Sequence, residues 1–251
     1  MIELSDNGWP HSTVPFRTDP PLNTVGIVIP MRDGMKFFKL CLYSVLNFTF
    51  PPYMLTVVDN LSGLRTKRQL RSLSQNHPIE ILRYDEPFNF SAQVNLGLRH
   101  VFSFPNVKYG LILNADTIVE PDWLTHLLVI MNSDKYGAVG PLSNVAIPEQ
   151  EGRRENIVEL TRRLSGLCML IRREAFEEVG GFDEQFVGGG YEDQDFTLRL
   201  LNTGWKLGVA RRVYIHHFHR AFRTEEKHTE EMELNRVRFN EKHLALKGES
   251  K

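Results

Sequence analysis

The apolar run Leu111-Ile112-Leu113 ends in Asn114-Ala115-Asp116-Thr117. A carboxylate at such a place can hold a divalent cation against a diphosphate. Hard cations take one or two protein carboxylates and fill the rest of their shell with phosphate oxygens and water. An Asp after a strand also serves as a turn or helix cap, and these four residues alone leave both readings open. Glu192-Asp193-Gln194-Asp195 opens a helical pattern after Gly188-Gly189-Gly190. Acids suit a helix N-terminus, and Asp195 can pair with Arg199 four residues on. One acid more than these roles need sits beside a glycine stretch that reads as flexible, where a carboxylate can take a proton from an incoming hydroxyl. His216-His217-Phe218-His219 puts three imidazoles in four residues, which points to metal or phosphate, but the partners of a closed zinc site are missing. The basic stretch with Arg65, Lys67, Arg68 and Arg71 reads most simply as a solvated helix face.

The elements that must position these groups follow from periodicity. Val25–Ile29, Leu55–Val58, Ile79–Leu82 and Tyr109–Leu113 are short apolar runs of strand type. Between them, Met35–Asn47 carries Phe38, Cys41, Leu42 and Val45 on one helical face, Leu64–Ser74 forms the basic helix, and Ser91 caps a helix reaching about Phe102. Pro121 opens a further helix. Alternating strands and helices predict βαβ units and a largely parallel sheet. Ligands of such sheets bind beyond the carboxyl ends of the strands, where Arg32, Asp33, Asp59, Asn60, Asn89, Asn114 and Asp116 fall. Past Val139 the pattern loosens. Residues 143–163 read as a loop with a short helix, Gly166–Ile171 as a strand, Asp193–Asn202 as a helix stopped by Gly204, and Val213–Ile215 as a last short strand. Residues 225–246 form a charged amphipathic helix, and residues 1–23, with four prolines, an extended arm.

With 251 residues, 41% apolar and 24% charged, the chain has room for one well-buried α/β domain. Its 30 basic residues balance 31 acidic ones, which argues against a nucleic-acid partner. No apolar run has the length of a membrane span, and the N-terminus lacks a basic-then-apolar leader. Cys41 and Cys168 sit in apolar settings and read as buried reduced thiols. The expectation is a cytoplasmic enzyme, with peripheral contact to a membrane and oligomeric state left open.

Several segments carry a resemblance. They are Val28-Ile29-Pro30-Met31-Arg32-Asp33-Gly34, Val57-Val58-Asp59-Asn60-Leu61-Ser62, Asn89-Phe90-Ser91-Ala92-Gln93-Val94-Asn95-Leu96-Gly97, Asn114-Ala115-Asp116, Gly140-Pro141-Leu142-Ser143-Asn144, Gly166-Leu167-Cys168-Met169, Val179-Gly180-Gly181-Phe182-Asp183 and Tyr191-Glu192-Asp193-Gln194-Asp195. In this order they resemble glycosyltransferase family 2. That resemblance implies an α/β GT-A fold, with a Rossmann-like, mostly parallel central sheet flanked by helices and a C-terminal helix. It implies an arm over 1–24, a transferase domain over 25–220 (nucleotide-binding half about 25–118, acceptor-binding half about 119–220) and a helical extension over 221–251. It further implies an inverting transfer of a sugar from a nucleotide-diphosphate donor to a hydroxyl of a glycan or other acceptor, assisted by Mn²⁺ or Mg²⁺. Asp59 would contact the nucleoside with Asn60 nearby, and Pro30, Arg32, Asn95, Asn114, Ala115, Gly166 and Glu192 would be further binding positions. Asp116 would hold the metal, joined by a histidine after the last strand, His217 in preference to His216. Asp193 would be the base. Asn114 stands where the family has the first Asp of D-x-D, and Asp33 where it has Asn.

Three other functions compete for this pattern. A domain that binds a nucleotide sugar or glycan with little turnover would explain Asn114. A sugar-phosphate nucleotidyltransferase would want a glycine-rich first turn where Pro30-Met31-Arg32-Asp33-Gly34 stands, and a dinucleotide dehydrogenase would want G-x-G-x-x-G there.

Overall fold

Periodicity decides the first half of the chain. In the computed structural model, which describes residues 24–218 and 225–248, strand β1 (Thr24–Met31) is followed by α1 (Met35–Phe48), β2 (Tyr53–Asn60), α2 (Leu64–Asn76), β3 (Ile79–Tyr84), α3 (Phe90–Phe102) and β4 (Val107–Leu113). The four strands pair in parallel in the order β3-β2-β1-β4. Alternate residues of β1 face opposite sides: Val25, Ile27, Ile29 and Met31 join one core, Val28 the other. The first core also takes Phe38, Cys41, Leu42 and Val45 of α1, and Leu70 and Leu73 of α2, while Val94, Leu98 and Val101 of α3 close the second. Helix α3 lies close against the sheet because Gly97 presents no Cβ to Val28.

The second half completes the sheet by a less regular path. After β5 (Thr117–Ile118) and α4 (Trp123–Ser133) come β6 (Tyr136–Ser143), a 3₁₀ turn at Pro148–Gln150, β7 (Val158–Leu160), β8 (Cys168–Arg172), α5 (Arg173–Val179), α6 (Glu192–Asn202), β9 (Lys206–His217) and α7 (Glu225–Gly248). Strand β8 inserts antiparallel between β4 and β6, β9 pairs in parallel with β6, and β5 and β7 flank β9 antiparallel. Six of the nine strands among the described residues therefore run one way, with helices on both faces.

Some expectations change. The cap of α3 is Asn89, whose side chain accepts from Ala92 N at 3.0 Å, and Ser91 is a buried helical residue. Helix α4 starts at Trp123 with Asp122 as its cap residue, so Pro121 stands outside it. The stretch expected as a loop over 143–163 contains β7, and the last strand is twelve residues long, not three. Strands β5 and β6 and helix α5 were not anticipated. All but the last residue of the proposed N-terminal arm lies outside the described residues, as does His219. Among the described residues no helix is long and apolar enough to cross a membrane.

Candidate active site

The parallel strands β1, β2 and β4 end at Met31, Asn60 and Leu113, and β9 ends at His217 beside β5. Their carboxyl ends bring most of the candidate residues to one edge of the sheet. Pro30 is buried beside Val58, whereas Arg32 projects into solvent. Asp33 adopts a left-handed φ of 54° and ties two turns together. Its carboxylate accepts from Gly63 N (3.0 Å) and Thr66 Oγ1 (2.7 Å), and its own N–H donates to Ser62 Oγ (2.7 Å). Since Gly63 has no side chain to cap α2, Asp33 does so from the neighbouring turn.

Asp59 is fully buried at the end of β2, directly opposite Arg83 on β3, and the two form an ion pair. Burial pushes its carboxyl above the usual range, against the pull of Ser62 and Arg83. Asn60 donates to Tyr84 O (2.9 Å) and Glu86 O (2.7 Å), and its Oδ1 is buried with no hydrogen-bond partner among the described residues. A buried orphan acceptor has a cost that a ligand N–H relieves.

The Asn114–Thr117 turn is held by its backbone. Asn114 N donates to Leu167 O (2.8 Å), and Asn114 O accepts from Thr117 Oγ1 (2.8 Å). Cys41 lies beneath, with Sγ 3.6 Å from Asn114 O. Burial pushes that thiol up to about 12, and both cysteines are free, buried and therefore inert. Ala115 is buried, and Asp116 is 4% exposed. Its Oδ1 lies 3.2 Å from His217 Nε2. Residues 117 and 217 are cross-strand partners, and alternation turns His216 to the other side, where its ring packs on Phe218. His217 Nδ1 lies 3.3 Å from Val145 O, and Asn144 bonds the His217 backbone in both directions (2.7 and 3.0 Å). A proton on Nδ1 directed at a carbonyl leaves Nε2 its lone pair, the tautomer a metal ligand requires. The donor set, one carboxylate oxygen and one imidazole nitrogen, thus fits a divalent cation. No cluster of three or more ligating side chains occurs among the described residues, so further ligands would be phosphate and water.

Asp193 stands in the first turn of α6. Its Oδ2 accepts from Gly166 N (2.9 Å) and its Oδ1 from Gln194 N (2.7 Å). Burial raises its pKa despite these bonds, so the helix N-terminus does not win here as the sequence suggested. Gly166 N holds Asp193 while the next residue's carbonyl holds Asn114, so two adjacent residues at the head of β8 join the base candidate to the metal-candidate turn. Glu192 is buried and accepts from Gly190 N, which makes it a brace of the glycine loop. Asn95 has all its polar atoms engaged, with Phe182 N (2.9 Å), Phe182 O (2.8 Å) and Glu184 Oε1 (2.8 Å). It fastens α3 to the loop before α6, and the expected ligand contact is not what its bonds serve.

The glycine stretch read as flexible is tied down and closely packed in the structure. Gly188 O accepts from Phe90 N (2.8 Å), and Asn235 of α7 donates to Val187 O and Gly190 O (both 2.9 Å) and accepts from Val187 N (3.0 Å). A Cβ at Gly188 would overlap Glu231, and one at Gly190 would overlap Met232. The glycines let α7 close on the loop. Asp195, fully buried, pairs with Arg199 (2.8 Å) as its spacing predicts, and also with Lys242 (2.7 Å) and His243 (2.8 Å). No local pattern foretold these α7 contacts. Asn235→Ala is expected to cost roughly 2–3 kcal/mol in chemical denaturation, because it orphans buried backbone groups, and an unchanged midpoint would show that the clamp carries no stability.

The comparisons agree with this architecture. Residues 26–163, more than half the chain, match the profile described as glycosyl transferase family 2, and residues 158–225 match one described as the N-terminal domain of galactosyltransferase. The O-antigen biosynthesis protein RfbC of Myxococcus xanthus is 27% identical over 225 residues, covering 77% of this chain and 17% of that protein. The low-salt glycan biosynthesis hexosyltransferase Agl10 of Haloferax volcanii is 24% identical over 173 residues, covering 61% and 54%. The chain thus spans a sixth to about half the length of these relatives. GalNAc-T7 with UDP, GalNAc and Mn²⁺ superposes with a TM-score of 0.71 at 17% identity, covering 88% of this chain and 48% of that one. The mannosyltransferase PcManGT of Pyrobaculum calidifontis, with GDP-Man and Mn²⁺, gives 0.65 at 19% identity, covering 86% and 63%. By sequence profile and by its GT-A fold, the chain belongs to glycosyltransferase family 2.

Proposed function

We propose that this chain transfers a sugar from a nucleotide-diphosphate donor to an acceptor hydroxyl with inversion at the anomeric carbon. The observation that carries the reading is the head of β8. Through Gly166 N and Leu167 O it sets a partly buried carboxylate, Asp193, beside the turn that bears Asp116. The nucleoside would lie against Asp59 and Asn60, and the diphosphate toward Asp116 and His217. A divalent cation held by those two residues would offset the negative charge that develops on the leaving diphosphate. Asp193 accepts the proton of the attacking hydroxyl while the anomeric carbon exchanges its bond to the diphosphate for one to the acceptor oxygen. A single displacement from the opposite face inverts the centre and needs no covalent sugar–enzyme species.

The structural neighbours named above were solved with UDP or GDP-Man and Mn²⁺, which supports a nucleoside-diphosphate donor and favours Mn²⁺ or Mg²⁺ here. The cytoplasm, where nucleotide sugars are made, is the compartment we assign. A second reading, a binding domain with little turnover, is favoured by Asn114 in place of a carboxylate. A thermal-shift screen of UDP- and GDP-sugars with each metal separates the cases. A donor at a hundred times its Kd should add about 2.7 kcal/mol of stability, and donor turnover should follow. Stabilisation without transfer or donor hydrolysis selects the second reading, and no stabilisation by any nucleotide sugar overturns both.

A further inference from the structure

Helices α1 and α2 pack on the same side of the sheet, since their apolar residues join one core. Their outer faces are unusual for a chain of net charge −1. Helix α1 carries Lys36 and Lys39, helix α2 carries Arg65, Lys67, Arg68 and Arg71, and neither contains an acidic residue. None of these cations is ion-paired among the described residues. Large apolar side chains stand exposed among them: Leu40 and Tyr43 on α1, Phe50 just beyond it, and Leu61 and Leu64 at the start of α2, the last 71% exposed. The two faces adjoin, because the Tyr43 ring lies edge-on 6.1 Å from His77 at the end of α2. Asp33, a carboxylate at this end of the face, is engaged by Gly63 N and Thr66 Oγ1.

A solvated basic face would need no apolar side chains, and an interface with another protein copy would set these cations against one another. Unpaired Lys and Arg interleaved with Leu, Tyr and Phe match an anionic bilayer surface, where the cations meet phosphate headgroups and the apolar side chains enter the acyl boundary. We propose that the α1–α2 face docks this chain onto anionic phospholipid. Both helices start at the carboxyl edge of the sheet, the edge that carries the candidate active site. The inference does not depend on the transfer reaction, because its readout is partition alone.

The test is sedimentation of the full chain with vesicles of phosphatidylglycerol and phosphatidylcholine, against phosphatidylcholine alone. Binding should be confined to the anionic vesicles and weaken with salt. Each basic side chain near such a surface contributes roughly fivefold in partition, so Arg65→Glu/Arg68→Glu/Arg71→Glu should lower it by roughly 100-fold or more. Leu64→Asp should lower it by roughly tenfold. These positions are exposed, and an unchanged thermal midpoint confirms the fold. Equal binding to neutral vesicles, no binding to anionic ones, or full binding by the triple variant would overturn the proposal. So would loss of self-association, or of duplex RNA binding, as the effect of the same substitutions on a chain that ignores vesicles.

Discussion

Asp193→Asn is expected to lower the rate of sugar transfer by about 10²-fold or more, the scale of general-base removal, and to leave donor and metal affinity nearly unchanged. The amide keeps the shape of the carboxylate but cannot take the acceptor's proton. It also keeps only one acceptor oxygen where the structure uses two, for Gly166 N and Gln194 N, so a modest fall in stability should accompany the kinetic loss. The pH profile gives an independent check. Burial raises the Asp193 pKa, and the base works ionised, so the acid limb of kcat should lie above the ordinary carboxylate value of about 4. For stability the sign is opposite: a raised folded-state pKa favours the protonated form, so the contribution of Asp193 is present below its unfolded pKa and is lost as pH rises through the folded one. Near-normal turnover in the Asn variant, or a product of retained configuration by NMR, would remove Asp193 from the reaction.

Asp116→Ala should remove the stimulation by Mn²⁺ or Mg²⁺ and lower kcat/KM by on the order of 10²–10³-fold, as when a charge-stabilising group is deleted. With Asn114 beside it, Asp116 is the sole carboxylate of its turn. His217→Ala should act more gently, raising the metal concentration for half-maximal rate while the fold persists. Metal titration of the three proteins reads both effects. An undiminished response in Asp116→Ala, or full wild-type activity in excess chelator, would sink the assignment. His216→Ala is the natural control, because alternation along β9 turns that ring away from Asp116.

How much was legible in the sequence depended on how local the cause was. The face of α1 and the strands β1 to β4 could be read, because buried parallel strands are short unbroken apolar runs. Strand β6 could not. Two glycines and Pro141 break its pattern, yet Pro141 sits at a register shift, where a missing N–H and a bulge are tolerated. The same irregularity hides β9, since Arg211 and Arg212 interrupt its alternation. The nearness of Asp116 to His217 rather than to His216 is where the resemblance put the two side chains. The Asp59–Arg83 pair, the inward turn of Asn95 and the Asn235 clamp were not legible, because each depends on register or on packing between distant segments. The glycines of 188–190 were visible, but composition cannot tell a hinge from a place where a helix must come close.

The insertion of β8 between β4 and β6 bears on how the chain can be made and cut. Residues up to Ile118 hold the four parallel strands, but the outer edge of β4 is closed only by β8, whose residues come fifty positions later. A nascent chain that has emerged as far as β4 displays an open edge of buried apolar residues and needs protection until Arg172 has followed. Residues 25–118 are therefore poorly suited to separate expression. The exposed segment at 151–153, between β6 and β7, is where a protease should enter first. A single cut there would leave two pieces interleaved within one sheet, able to migrate as one folded body until denaturant parts them.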